Sequence, residues 1–177
     1  MTERHFLLDP ELTFGEGTVV SEPIVSESKP DFLVKVERQT KPVYPLIVKS
    51  VLHPELELRG PEEFIVSSLR KCFYADEKTV NHEVIYRRLV FGKILPFCLN
   101  LQDGYAIQAK GITVFCNVFG SKAVFLWAST GRDQDGEKIV PFAFGANGTV
   151  NQVVIGWAKM NQNWNGGQCI TPLHCEQ

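Results

Sequence analysis

The chain has 177 residues, 44% hydrophobic and 21% charged, with a formal net charge of -2. That length suits one domain able to bury a core without staples, and the hydrophobic share excludes a charge-rich disordered chain. Eighteen basic and twenty acidic residues, interspersed, provide no basic footprint and disfavour nucleic acid as a partner.

No apolar run is long enough to span a bilayer. Met1 to Leu12 (MTERHFLLDPEL) lacks the basic start and apolar core of a secretory signal, so no membrane association and a cytoplasmic location are expected. The five cysteines are an odd number, expected to be thiols in a reducing compartment.

Residues 1–30 carry Pro10, Gly15, Gly17, Pro23 and Pro30 without a sustained hydrophobic period. They read as an extended N-terminal arm, with a single globular domain over 31–177. Phe32 to Glu37 alternates apolar and other residues and predicts a half-buried strand. Leu46 to Leu52 is a short apolar run between Pro45 and Pro54, and Phe64 to Tyr74 fits both strand and helix. Asn81 to Phe91 predicts a helix, with Thr79 as its cap, an apolar stripe of Val80, Val84, Ile85 and Leu89, and Gly92 as its stop. A longer helix is predicted from Asp103 as cap to Gly120, with Gly111 a weak point in its interior.

Three strand-like runs follow. Ala123 to Ala128 is continuously apolar, as in a buried central strand. Ile139 to Phe144 contains Pro141, which argues for an edge or a bulge. Gln152 to Ala158 is the third. Short turn-rich links between them predict an antiparallel meander, and the fold class is α+β, with the meander packed on one or two helices.

The chemistry-bearing motifs are incomplete. Asp133 and Asp135 before Gly136 resemble part of a calcium loop, but both ends of that motif are missing, and Asp-Gly signals a hairpin turn. Cys169, His174 and Cys175 form C-x4-H-C without a second ligand pair, so no metal is expected. Gly145, Gly148 and Gly156 build no phosphate loop, and no cofactor is expected. Asn147-Gly148-Thr149 fits a glycosylation sequon but reads as a turn. Cys98, just before the long predicted helix, is a candidate nucleophile with His82 as its base; His53 and His174 are the other candidate bases.

The most informative stretch is the aromatic and amide cluster near the C-terminus. Trp164 with Asn161, Asn163 and Gln168 is the candidate ligand surface, since flat rings beside amides combine stacking with directed hydrogen bonds. Trp157, inside the apolar run VVIGWA, is assigned to the core. The second half (CLNLQDGYAIQAKGITVFCNVFGSKAVFLWAS, then the DxDG turn, VPF and VVIGWAKMNQNW) resembles a group of uncharacterised small bacterial proteins over roughly residues 95–165. That resemblance implies a shared domain and brings no activity. The sequence therefore favours a non-enzymatic binding module for a protein, small-molecule or carbohydrate ligand. The alternatives are a small hydrolase or transferase using a cysteine or an acid-base pair assembled across the fold, with Cys98 and His82 as its candidate residues, or an assembly protein whose arm joins copies into a homo-oligomer.

Overall fold

The computed structural model describes residues 31–73, 79–146 and 151–174. The arm (1–30), the sequon (147–149) and Cys175 lie outside them. Strands β1 (Leu33–Lys35), β2 (Val48–Val51), β3 (Glu63–Ile65), β4 (Arg70–Phe73) and β5 (Val80–Asn81) precede helix α1 (His82–Phe91). Helices α2 (Leu101–Lys110) and α3 (Ile112–Phe119) follow. The chain then runs through β6 (Ala123–Phe125), β7 (Gly131–Asp133), β8 (Lys138–Ala146), β9 (Gln152–Lys159), β10 (Asn163–Trp164) and β11 (Cys169–Leu173).

The fold is α+β. Seven strands form one sheet in the order β2-β7-β8-β6-β11-β4, and β9 pairs along the other side of β8. The three predicted strands do pair antiparallel, as β6-β8-β9, but they are not a simple meander: β7 intervenes in the chain between β6 and β8 and also pairs with β8, and the sheet is mixed because β11 runs parallel to β6. Two small ribbons, β1-β3 and β5-β10, stand beside it. Among the described residues no helix is long and apolar enough to cross a membrane.

A core lies on each face of the sheet. Phe125, Val140 and Ala158 join Ile85 and Leu89 of α1, whereas Val124, Ala143 and Val153 join Ile107 of α2 and Phe115 of α3. Because both faces are covered, alternate residues of β6 serve different cores, which explains its unbroken apolar run. That run does not continue as a strand to Ala128, however; a 3-10 turn begins at Trp127.

Several local expectations are corrected. The cap of α1 is Asn81, whose side chain accepts from the backbone of Glu83 and Val84, rather than Thr79. Val84 is 44% exposed, and the inward stripe is His82, Ile85, Tyr86 and Leu89. The long helix is two helices. Gly111 adopts φ +91°, a conformation open to glycine and costly for other residues, and this breaks α2 from α3. The cap of α2 is Asn100, with Asp103 as the returning partner of a capping box. Pro141 sits at neither an edge nor a bulge. It lies between Ile139, the last β8 residue paired with β7, and Phe142, the first paired with β6, so the missing N–H falls where the partner strand changes.

A buried polar clamp fixes the N-terminal end of α2. Asn100 donates to the carbonyls of Leu56, Glu57 and Arg59 at 2.9–3.1 Å. Asp103, fully buried, receives Arg38 at 2.5 Å and meets His174 at 3.1 Å. These contacts tie segment 56–61, Arg38 and the end of β11 to one helix terminus.

Candidate ligand-binding site

Alongside β9 runs an open trough of about 470 Å³. Three elements build it. Gly104 lets α2 lie against Leu126 and Ile155, where a side chain would collide with the leucine. The next residue of α2, Tyr105, and Gln108, one turn along, line the trough. The Tyr105 hydroxyl donates to the Val43 carbonyl at 3.1 Å and so holds segment 43–45 as the opposite wall. Gln108 Nε2 donates to the Val153 carbonyl at 2.8 Å. The Tyr44 ring sits 6.1 Å from that of Trp157, inclined at 54°.

The lining is aromatic, aliphatic and amide: Tyr44, Tyr105 and Trp157, with Val43, Pro45, Val154 and Ile155, and with Gln108 and Gln152. Among the described residues no charged side chain lines it. Burial raises the phenols of Tyr44 and Tyr105 above the usual tyrosine range, so both stay protonated at neutral pH. Among the described residues the buried Tyr44 hydroxyl has no partner in hydrogen-bonding geometry; Ser129 and Glu57 are its polar neighbours. Of the lining residues, Val43 is 83% exposed. A concavity of this size, with stacking surfaces and a few directed amides, has the make-up of a ligand site.

The residues singled out from the sequence are placed elsewhere. Trp164 is half-buried, its ring 5.0 Å from Phe142 and 5.4 Å from both His82 and Phe125. Asn163 accepts from the Asn81 side chain at 3.0 Å across the β5-β10 ribbon. Asn161 lines a smaller crevice of about 280 Å³ with Glu83, Arg132 and Lys138, and Gln168 stands exposed in a 3-10 turn. Trp157, expected wholly in the core, is half-buried and forms a wall of the trough.

Cys98 and His82 are not joined by a hydrogen bond. His82 is fully buried against Phe125, Trp127 and Trp164, and neither ring nitrogen has a partner in hydrogen-bonding geometry. Burial lowers its pKa to about 4, opposed by the nearby Lys159 backbone, so the ring is neutral at pH 7. The Cys98 thiol is buried and donates to the Ile94 carbonyl at 3.8 Å. At Cys169 burial pushes the thiol up to about 11, the reverse of nucleophile activation. The Asp133 carboxylate accepts from the backbone of Asp135 and Glu137 and shapes the β7-β8 turn.

One polar group is assembled by the fold around His53, which the sequence offers only as a base for Cys98. His53 Nε2 lies 2.6 Å from the Tyr86 hydroxyl, with Glu55 3.3 Å from the other ring nitrogen. Lys138 stands 5.2 Å from the centre of the Tyr86 ring. Residues 53 and 86 are far apart along the chain and neither lies in a recognisable motif, so only the fold brings them together.

Comparison with family models, with curated proteins and with solved structures finds no match to this chain. Function has to be read from the geometry alone.

Proposed function

We propose that the protein is a non-enzymatic binding module that takes its ligand in the trough between Tyr44, Tyr105 and Trp157. One observation carries this reading: three aromatic rings from three separate elements converge with two glutamine amides on one uncharged concavity. Aromatic walls give contact area at small entropic cost, and amides orient what they hold. Ligand-observed NMR against a mixed set of oligosaccharides, peptides and small aromatics tests it. Binding by the wild type and its loss in folded Tyr105→Ala support the reading. Binding unchanged in that variant places the ligand elsewhere and refutes it.

A hydrolase or transferase is the second reading, favoured by the 2.6 Å phenol–imidazole contact beside Glu55 and Lys138. Its residues are Tyr86, His53 and Glu55 rather than Cys98 and His82. Burial raises the Tyr86 phenol above the usual tyrosine range, so the reactive group in this reading is His53, oriented by Tyr86. Diethyl pyrocarbonate should then modify His53 several-fold faster in the wild type than in folded Tyr86→Phe, and equal rates in the two remove this reading.

A further inference from the structure

Among the described strands the sheet has three edges, and they are not alike. β2 (VKSV) is four residues long with an irregular register between Val48 and Ser50. β4 begins with Arg70 and Lys71. Charges and register breaks are how natural edges resist further pairing. β9 has neither device. Its eight residues, QVVIGWAK, run in unbroken register with β8 and contain no proline. Its one charge, Lys159 at the far end, is matched by Glu137 at 2.6 Å.

The phase of the β8-β9 ladder shows which backbone groups this edge offers. Met160 N–H donates to the Lys138 carbonyl at 2.9 Å, one step beyond the Ile139–Lys159 pair. In an antiparallel ladder, bonded and non-bonded pairs alternate. Ala158, Gly156 and Val154 therefore bond to β8, and the N–H and C=O groups of Val153, Ile155 and Trp157 point outward. The contact from Gln108 to the Val153 carbonyl agrees with this phase. Among the described residues no other strand pairs with β9, so Ile155 and Trp157 present donors and acceptors at strand spacing along the trough.

We propose that the occupant of the trough is an extended, uncharged peptide segment of a partner protein, added to the sheet along the outer edge of β9. This rests on the trough being the binding site. A sugar or a flat aromatic would use the rings and leave the backbone groups of Ile155 and Trp157 unused; an added strand uses both. The uncharged lining is complemented by neutral side chains, and exposed Val43 extends the apolar contact.

The test uses a phage-displayed library of random dodecapeptides on the full chain, with cellotetraose as the competing chemistry. A selected peptide, made synthetically, should slow amide exchange at Ile155 and Trp157 at least about tenfold. N-methylation of each of its inward-facing amides should weaken binding about tenfold, the worth of one hydrogen bond, and N-methylation of the alternate amides should not. Ile155→Pro, which removes an N–H that β8 does not use, should abolish binding with the fold retained. If that variant does not fold, the N-methylated peptides decide. Peptides that bind in a Tyr105-dependent way but tolerate every N-methylation, or cellotetraose binding in their place, would overturn the strand inference and leave the trough standing. Binding of neither peptide nor sugar overturns both.

Discussion

Acidification should destabilise this protein through His82. The folded state holds the ring neutral, with a pKa of about 4, because it is fully buried against aromatic rings and the nearby Lys159 backbone offsets that only in part. In the unfolded chain it returns to about 6.5. Between these values the unfolded state binds the extra proton, so stability is complete above pH 6.5 and falls as pH drops toward 4. At about 1.4 kcal/mol per tenfold, the loss is about 2 kcal/mol at pH 5 and approaches about 3 kcal/mol below pH 4. That is a large fraction of the roughly 5–15 kcal/mol that holds a typical domain together. Urea melts of the wild type and of His82→Phe at pH 7.5 and 5.0 measure it. Phenylalanine keeps the ring contacts and removes the proton site, so the other histidines cancel in the comparison. The Glu83 carboxyl, held low by Lys138, titrates mostly below this window. Equal losses of stability in the two proteins between pH 7.5 and 5.0 would refute the reasoning.

Asn100→Ala removes the α2 cap and three bonds to segment 56–59, and should cost about 2–4 kcal/mol in chemical denaturation. A loss under about 0.5 kcal/mol would mean that the clamp is dispensable. Gly111→Ala meets no atom within 4 Å of the added methyl but must hold φ +91° with ψ 173°, a region essentially confined to glycine, so it should cost about 1–3 kcal/mol through backbone strain alone; an unchanged melt would count against that account. Trp164→Ala should lose about 2–4 kcal/mol of stability, since its ring packs on His82, Phe125 and Phe142, while peptide binding at the trough persists in whatever protein remains folded. Loss of binding at full stability would return the ligand surface to Trp164.

Elements are more legible in this sequence than partnerships. Phe32 to Glu37 alternates as a half-buried strand should, and Val34 and Val36 are buried. Gly92 and Gly120 stand where α1 and α3 end. The break at Gly111 is visible as a weak point, but helical periodicity continues across it. Only the backbone angle shows that two helices meet there. Pro141 misleads for a related reason. A missing donor is tolerated at an edge, but also at a junction between two partner strands, and strand order is not written locally.

The same difference explains why the sequence directs attention to Trp164 for aromatic–amide chemistry. There the tryptophan and the amides are neighbours in sequence, but proximity along a chain does not make a concave surface. Asn163 is used across a ribbon, and Trp164 fills the space over Phe125. At Trp157 the ring's own strand runs along an edge, so one side packs on α2 while the other meets Tyr44, more than a hundred positions away. VVIGWA reads as core because β9 does pack on its α2 face, at Val153 and Ile155. What the pattern cannot show is that no described strand follows on its far side. That open side leaves the backbone of Ile155 and Trp157 turned outward, and it makes an apolar run, which reads as interior, the best-equipped edge of the sheet for receiving another chain.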